Sequence, residues 1–356
     1  MASYTSVDDP SAHVQAVTWS GNDTQDTAIT FNGNSNLKPD LFINKGRGVA
    51  YGFNTMDTSR GIGNSGKVLR LNLGSGYQEF DIDDYFETAD TNGFTIGSGD
   101  ASFNASNDTY ITWAWRSNGG TTSTNSDGDI NTTVQNNSDA GFSIIQYSPA
   151  NNTARNLGHG LGGKPAFVIF RARNRSEDWR IYHQSAATTG GFMFDSSAYN
   201  TTTTLVTGST TSTIGVGTDF SVNGNYNYIA YAWKEVPGFS SFGSYYGNGN
   251  ANGNFVYTGF KPSILFFKCK STTGNWLVFD AARGLFNLND NYFYLNSNAA
   301  EATSSSSGVD FYSNGFKMRN TYNDANANGE EYCYAAWAEH PIVTSGGSQS
   351  KSFFRG

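Results

Sequence analysis

The sequence predicts an all-β protein built from three tandem antiparallel modules of the β-sandwich or jelly-roll kind. Composition is the first reason. The 356 residues include 20 Tyr, 26 Phe and 41 Gly, and only 15% are charged. Aromatic and β-branched residues favour strands, whereas Gly, Asn and Ser favour turns. The aromatic content argues against disorder, and the length exceeds what one hydrophobic core usually organises.

An internal repeat is the second reason. A Lys-Pro pair followed by a short apolar run and a cation occurs three times, at residues 38–45, 164–171 and 261–268. Proline lacks an N–H group and is best tolerated where a strand begins. We therefore expect Pro39, Pro165 and Pro262 to occupy equivalent strand starts.

A second anchor, Tyr-x-x-x-Ala-Trp, follows each Lys-Pro motif. Its three copies start and end at Tyr110 and Trp115, Tyr228 and Trp233, and Tyr332 and Trp337. Aromatic residues bury more area than any others, so these side chains are predicted to lie in the core. Each Trp is expected to hold two sheets, or a sheet and a loop, together within its module.

The order of the anchors defines the predicted domains. The three modules cover residues 14–117, 139–236 and 239–341, with an N-terminal arm at 1–13, a linker at 118–138 and a C-terminal tail at 342–356. The linker is rich in Asn, Gly, Ser and Thr, which predicts a flexible or surface-laid segment. Only residues 237–238 separate modules two and three, so these two should be held against each other.

A charged motif sits at one position of the repeat. Asp57 and Asp280 both lie 18 residues after the module's proline and precede Arg60 and Arg283, whereas module two has His183 at that position. Acid and base three residues apart can pair locally. We interpret these pairs as bracing a loop rather than binding a ligand.

No catalytic motif is evident. The sequence lacks a nucleophile elbow, a P-loop, a dinucleotide fingerprint and a His-Glu-x-x-His pattern. The glycine-rich segment 158–162 and the calcium-like segment 324–331 are predicted to be turns, because the latter lacks the closing Glu of a calcium loop. Carboxylate pairs at 83–84 and 330–331 could support glycoside hydrolysis, but solvated loops are the expected outcome. We expect no enzyme activity, cofactor or metal.

Charge and cysteine content exclude further classes. With a net charge of −8 and no dense basic run, neither nucleic acid nor an anionic membrane is an expected partner. The first 15 residues carry no apolar run, so neither a secretory signal nor a membrane anchor is expected there. Cys269 and Cys333 are predicted to be buried free thiols.

Several short segments together resemble a family of structural proteins from marine bacteriophages, notably those of cyanobacteria. The matching segments are residues 7–12, 38–41, 141–145, 158–162, 179–183 and 255–260. The resemblance implies a virion structural or tail-fibre-like protein whose folds are similar to concanavalin A-type lectins. Module one departs modestly, with Tyr51 and Phe53 where the other modules carry Trp179 and Trp276.

Residues and resemblance together favour a virion structural protein, either a tail or fibre component or a capsid decoration, assembled in the bacterial host cytoplasm. Its expected partners are other virion proteins, with contact to a host-surface glycan as a further expectation. The alternatives are a soluble carbohydrate-binding protein and a polysaccharide-degrading enzyme. Docking is predicted through Phe353, Phe354 and Arg355, and after them through residues 7–10 of the arm.

Overall fold

A computed structural model of the chain describes residues 5–340, apart from 64–65, 75–76, 83, 99–100, 150–151, 187–189, 195, 198, 201–203 and 285. The all-β prediction is confirmed, since 44% of residues are in strands, 5% are in helices and the strands pair antiparallel within several sheets. The sheets form three pairs, and each pair joins one large sheet to one three-stranded sheet.

Module one pairs a six-stranded sheet, in the order β1-β9-β3-β4-β5-β6, with a three-stranded sheet, β2-β8-β7. A 3-10 turn at Pro10–Ala12 precedes the first strand, and a short helix, α1, covers Ala101–Asn104. The strands are β1 Val14–Ser20, β2 Thr27–Thr30, β3 Leu41–Gly46, β4 Asn54–Asp57, β5 Gly66–Arg70, β6 Phe80–Ile82, β7 Phe86–Asp90, β8 Gly93–Ile96 and β9 Thr109–Trp115.

Module two pairs an eight-stranded sheet, β10-β11-β12-β20-β14-β15-β16-β17, with the three-stranded sheet β13-β19-β18. The strands are β10 Ser123–Asn125, β11 Thr132–Asn137, β12 Phe142–Tyr147, β13 Arg155–Gly158, β14 Phe167–Ala172, β15 Arg180–His183, β16 Gly191–Met193, β17 Tyr199–Asn200, β18 Val206–Ser209, β19 Thr213–Val216 and β20 Tyr228–Trp233.

Module three repeats the arrangement of module one, with sheets β21-β29-β23-β24-β25-β26 and β22-β28-β27. A 3-10 turn covers Ser305–Ser307, and a short helix, α2, covers Asn323–Asn326. The strands are β21 Ser240–Tyr246, β22 Phe255–Tyr257, β23 Ile264–Cys269, β24 Trp276–Asp280, β25 Asn291–Tyr294, β26 Ala302–Thr303, β27 Val309–Tyr312, β28 Gly315–Met318 and β29 Glu331–Trp337.

The segment 118–138, predicted as a flexible or surface-laid linker, instead contributes strands β10 and β11 to the large sheet of module two. Val134 is buried in that module's core. The Gln135 side chain is also buried and donates to the hydroxyls of Thr58 and Ser59 at 3.0 and 2.7 Å. Residues 118–131 are mostly exposed, as expected of a surface-laid segment. The polar composition did not reveal the two strands, or the contacts of the buried Gln135 side chain with module one.

Each module is a sandwich whose two sheets pack face to face. In module one, Phe42 of the large sheet meets Phe86 and Phe94 of the small sheet, with ring centroids 4.3 and 5.7 Å apart. In module three, Tyr334 of the large sheet meets Phe316 of the small sheet at 5.3 Å. Aromatic side chains therefore fill the space between the sheets in both modules.

The opposite faces of the three large sheets meet in one shared core. Strands β3, β14 and β23 are buried along their whole length. Because side chains alternate across a strand, one set faces the module's own small sheet and the other set faces the neighbouring modules. In β9, for example, Ala114 lies in the core of module one, whereas Ile111 and Trp113 lie in the core that all three modules share.

Trp115, Trp233 and Trp337 form a triad inside the shared core. Their ring centroids are 5.4 to 5.8 Å apart in all three pairs, with edge-to-face geometry. Their indole N–H groups have no hydrogen-bond partner among the described residues, so ring packing holds the triad together. The triad joins the three modules to one another. The expectation that each Trp holds two sheets, or a sheet and a loop, of its own module together is wrong, because all three side chains lie in the shared core and not between the sheets of one module.

The N-terminal arm, proposed as a second docking element, packs onto the protein itself where the structure describes it. Val7 is buried in the shared core, and the Ser6 hydroxyl donates to the Asp139 carbonyl at 2.8 Å. Pro10 starts the 3-10 turn, and Asp9 before it is extended and caps the turn through its side chain. Proline is well suited to the first position of a helical turn, so residues 7–10 do not form a free edge strand.

Several further expectations concern the chain ends and the thiols. Cys269 and Cys333 are both buried and free. The C-terminal tail at 342–356, with Phe353, Phe354 and Arg355, lies outside the described residues. Among the residues that are described, no helix has the length and apolar character needed to cross a membrane.

Replacing one member of the triad should weaken the whole ring of modules. We expect Trp337→Ala to lower the free energy of unfolding by about 3–5 kcal/mol, as for other large core truncations, because its ring contacts both partner tryptophans. Urea unfolding monitored by circular dichroism should show one transition at lower urea. Phe286→Ala, at a side chain that is 82% exposed, should change stability by less than about 0.5 kcal/mol. A loss below about 1 kcal/mol for Trp337→Ala would contradict the packing role.

Candidate functional site

The tyrosine of each Tyr-x-x-x-Ala-Trp motif clamps the loop that precedes its strand. Tyr110 donates to the Ala101 carbonyl at 2.9 Å and accepts from the Ala105 N–H at 2.8 Å. Tyr228 repeats these bonds with the Phe220 carbonyl and the Gly224 N–H, and Tyr332 with the Asn323 carbonyl and the Ala327 N–H. A buried hydroxyl with both roles satisfied gives this motif position a structural reason to be Tyr.

The prolines of the Lys-Pro motif occupy equivalent places. Pro39, Pro165 and Pro262 each lie two residues before the central strand of a large sheet, β3, β14 and β23. These strands have the same neighbours in each sheet, the Tyr-x-x-x-Ala-Trp strand on one side and the following hairpin strand on the other. The anchors therefore set a common register in the three modules.

The cation that ends each central strand reaches into the next module. Lys45 of module one donates to the Asn298 carbonyl of module three at 3.3 Å. Arg171 of module two donates to the Gly74 and Tyr77 carbonyls of module one, at 3.2 and 2.6 Å. Lys268 of module three donates to the Ser197 carbonyl of module two at 2.6 Å. The contacts run from one to three, two to one and three to two, which closes a ring.

A second cation, two residues later, follows the same direction. Arg47 forms a two-pronged ion pair with Glu301 of module three, at 2.7 and 3.0 Å. Arg173 forms the equivalent pair with Glu79 of module one, at 2.9 Å on both prongs. Lys270 donates to the Ser185 carbonyl of module two at 3.0 Å. Bidentate Arg–carboxylate pairs are strong and geometrically specific, so they help to fix how the modules meet.

Asp57 and Asp280, which occupy the same position of the repeat, lie at these same junctions. Asp57 pairs with Arg60 at 2.5 Å and Asp280 pairs with Arg283 at 2.6 Å, with all four side chains fully buried. Each pair also serves the neighbouring module. The Tyr231 hydroxyl donates to Asp57 at 2.7 Å. The predicted local pairs thus belong to an interface between modules.

The third junction differs in sequence but keeps the contact. The Trp113 indole N–H donates to Asp280 at 2.9 Å, as Tyr231 does to Asp57. In module three, the position equivalent to Trp113 and Tyr231 is Ala335. The residue opposite Ala335 is His183 of module two, where the other two junctions have an aspartate. The His183 Nε2–H donates directly to the Tyr334 carbonyl at 2.9 Å. The longer imidazole reaches the backbone where no aromatic donor exists.

Burial keeps that histidine uncharged. Burial lowers the pKa of His183 to about 4, and its Nδ1 accepts from the Ser185 N–H at 3.1 Å. Both ring nitrogens are therefore used by the backbone. The residue is a neutral structural contact, and neither nitrogen is free for proton transfer or metal binding.

The glutamates in the junctions are held in the charged state. Burial raises the pKa of Glu79, but hydrogen bonds and charge from Arg173 and Arg60 outweigh it, so the net change is a lowered pKa. Glu301 shows the same balance through Arg47 and Arg283. Each glutamate bridges an arginine of its own module and one of the adjacent module, and sequence spacing alone did not reveal this bridge.

The aromatic departure in module one also has a structural reason. Trp179 and Trp276 donate their indole N–H to carbonyls of the adjacent modules, at Arg70 and Met193, each at 2.9 Å. Phe53 has no donor at this position and packs edge-to-face on Phe293 of module three, with centroids 5.7 Å apart. This position lies at a junction between modules in all three copies. It makes a hydrogen bond in modules two and three and an aromatic contact in module one.

Glu339 is the most perturbed acid near the junctions. It is buried, accepts from the Ser263 hydroxyl at 2.8 Å and from the backbone of Ala16 in module one. Burial raises its pKa to about 7, with a further increase from the nearby charge of Asp280. This carboxyl is therefore partly protonated near neutral pH.

Residues considered for catalysis have structural partners. Glu331 pairs with Lys270 at 2.7 Å, and Glu330 accepts from Ser271. In the segment 158–162, the His159 Nδ1 accepts from the Leu161 N–H at 3.1 Å, as expected in a turn. Asp83 lies outside the described residues. The calcium-like segment contains helix α2 rather than a plain hairpin turn.

Two further features lie on the surface. A groove of about 550 Å³ at the junction of modules one and two is lined by Arg70, Tyr77, Gln78, Glu79 and Phe80. The outer face of the small sheet in module three exposes the rings of Phe255, Tyr257 and Tyr312. In the described residues, no group of three or more His, Cys, Asp or Glu side chains could hold a metal ion.

A junction hydrogen bond to a buried carboxylate should stabilise the fold more than a junction hydrogen bond to a backbone carbonyl. We expect Trp113→Phe to cost at least about 1 kcal/mol more than Trp276→Phe, because the first removes a donor from the buried carboxylate of Asp280. Both variants lose similar volume, and module one already carries Phe53 at the position of Trp276. Urea titrations of the two variants should separate them, and equal losses would count against the charged network.

The raised pKa of Glu339 predicts a pH dependence. A carboxyl whose pKa rises from 4.5 in the unfolded chain to about 7 in the fold stabilises the fold fully below pH 4.5, and this contribution is lost as pH rises through 7. Between pH 5 and pH 8 the wild type should lose about 3 kcal/mol relative to Glu339→Gln. Unfolding titrations at both pH values measure the difference. Parallel pH profiles of the two proteins would show that Glu339 ionises normally.

Comparison with known proteins gives one match. Residues 9–341 match a family described as a domain of unknown function, DUF7483. No curated protein and no solved structure matches the chain. The family model runs from the arm through the end of module three, so it treats the three modules as one unit. The chain belongs to the DUF7483 family.

Proposed function

We propose that the protein is a structural component of a bacteriophage virion, an exposed appendage of the tail, of a fibre or of the capsid surface. The observation that carries the proposal is the ring of three sandwiches closed by directional junctions around a shared aromatic core. The proposal rests also on the resemblance of the sequence segments to phage structural proteins. It includes assembly with other virion proteins in the host cytoplasm.

The ring suits a mechanical role for a physical reason. Every junction joins a buried cation to backbone carbonyls of the next module, as Arg171 does at Gly74 and Tyr77. Removing one partner of a buried ionic contact is strongly destabilising, so separating the modules costs a large free energy. A part that must keep its shape outside a cell benefits from such joints. The proposal involves no catalysis, cofactor, nucleic acid or membrane insertion.

A soluble carbohydrate-binding protein is the second candidate. The exposed rings of Phe255 and Tyr257, which are 46% and 63% exposed, favour it because exposed aromatic side chains suit stacking on sugar rings. On the virion proposal, the same rings would contact a host-surface glycan. The two candidates differ in whether the chain is part of a particle.

Particle composition tests the proposal directly. Particles of the phage that encodes the chain would be purified on a density gradient and their proteins quantified by mass spectrometry. We expect the chain at a fixed ratio to the major capsid protein in every particle fraction. Recovery only in the soluble part of the lysate would overturn the virion role and leave the carbohydrate-binding candidate.

The tail is the proposed attachment point. Removing residues 344–356 should leave a folded ring, because the shared core and the junction contacts are built from residues 5–340, while particles should carry at least about tenfold less protein. The variant Phe353→Ser/Phe354→Ser keeps the length and tests the aromatic side chains separately. Gradient fractions analysed by immunoblot measure incorporation. Unchanged incorporation of both variants would remove the docking role from the tail.

A further inference from the structure

We infer that the outer face of the small sheet in module three binds polysaccharide chains that carry carboxylate groups. This face, called the aromatic face below, is formed by Phe255, Tyr257, Tyr312 and Lys317. The inference deepens the proposed function, because it rests on that proposal for the source of the polysaccharide, the surface of the host.

The register of the sheet places these side chains side by side. Phe255 pairs with Lys317 across β22 and β28, and Lys317 pairs with Asp310 across β28 and β27. Tyr257 and Tyr312 both pair with Gly315, from opposite sides. The rings of Phe255 and Tyr312 lie 5.9 Å apart, edge to face. Gly315 has no side chain, so the ring of Phe255 can extend over it.

The repeat itself shows that the scaffold does not need these aromatic side chains. In module one, the residues at the positions of Phe255, Tyr257 and Lys317 are small, namely Ala28, Thr30 and Thr95. In module two, the positions of Phe255, Tyr257 and Lys317 are Asn156, Gly158 and Gly215. Since the same sheet forms with small side chains twice, the exposed rings of module three call for another explanation.

Charge on the aromatic face points to an anionic ligand. Asp310 is already engaged by Arg319 at 3.5 Å and by the Tyr312 hydroxyl at 3.2 Å. The Lys317 side chain makes no ion pair or hydrogen bond with any described residue. Its ammonium group therefore stands beside exposed rings with no partner, on a chain whose net charge is −8. A carboxylate on the ligand would complement it.

The size of the aromatic face favours a sugar chain over a protein partner. Strands of three or four residues at about 3.3 Å per residue, spaced about 4.8 Å apart, cover roughly 10 by 10 Å. A stable protein interface needs about 800 Å² on each side, several times that area. A pyranose ring offers an apolar C–H face to an aromatic ring and polar edges to the Tyr257 hydroxyl and the Lys317 ammonium. One or two such rings match the available surface.

The experiment compares acidic and neutral polysaccharide. Binding of the full chain to polygalacturonate and to dextran would be measured by affinity electrophoresis and titration calorimetry. The variant Phe255→Ala/Tyr257→Thr/Tyr312→Thr introduces residues that other modules use at these positions. Ala28 and Thr30 come from module one, and Thr210 of module two bonds to Thr213 where Tyr312 pairs with Gly315, so the fold should persist. Lys317→Thr, which introduces the residue of module one at this position, Thr95, removes the ammonium group and leaves the three rings in place. Tyr77→Ala, in the groove between modules one and two, is the matched control.

We expect the wild type to bind polygalacturonate, with an affinity that falls as salt rises. The triple variant and Lys317→Thr should each bind at least about tenfold more weakly. Tyr77→Ala should bind as tightly as the wild type. Thermal melts of all variants check folding. Equal binding to dextran, unchanged binding of the triple variant, loss only in Tyr77→Ala, or no binding to polygalacturonate would overturn the inference.

The result is separable from the virion proposal. A protein found in particles that fails to bind polygalacturonate keeps the virion role and loses the aromatic-face inference. A protein absent from particles that binds through Phe255 and Lys317 loses the virion role and keeps the inference. Incorporation of the triple variant into particles should be unchanged, because the aromatic face is assigned to the ligand and the tail to assembly.

Discussion

The mutual packing of Trp115, Trp233 and Trp337 is the constraint on which the rest of the structure depends. Each tryptophan ends the strand that pairs with the central strand of its large sheet, so the triad fixes three sheets at once. A sheet that faces such a core on one side and its own small sheet on the other must be buried on both faces. The completely buried strands β3, β14 and β23 meet that requirement.

The junctions convert this packing into a defined arrangement. Ring packing is weakly directional, whereas a guanidinium aimed at two carbonyls, as at Arg171, or at a carboxylate, as at Arg173, permits one geometry. The contact at His183 shows how tightly the geometry is specified. Where Ala335 cannot supply a donor, the acid opposite is replaced by a neutral imidazole that reaches the backbone carbonyl of Tyr334. At this junction the change of residue type on one side is matched by a change on the other.

Because contacts between inner residues hold the three modules together, the residues on the outer surfaces are free to differ between modules. The inner positions repeat in kind across the modules, as the clamping tyrosines and the central-strand cations do. The outer face of the small sheet does not, since it carries Ala28 and Thr30 in module one and Phe255 and Tyr257 in module three. This division fits a structural protein whose stability resides in the ring and whose binding chemistry is confined to one module.

The sequence by itself determined the all-β class, the repeat anchors and the pairing of Asp57 with Arg60, because these depend on local spacing and composition. Only the tertiary structure decided what lies across each junction. Glu79 meets Arg173, and Trp113 meets Asp280, over separations of 94 and 167 residues, and no local pattern encodes such contacts. Segment 118–138 was misjudged for the same reason. Its buried Gln135 side chain finds partners in module one, Thr58 and Ser59, that lie next to it only once the two modules have packed together.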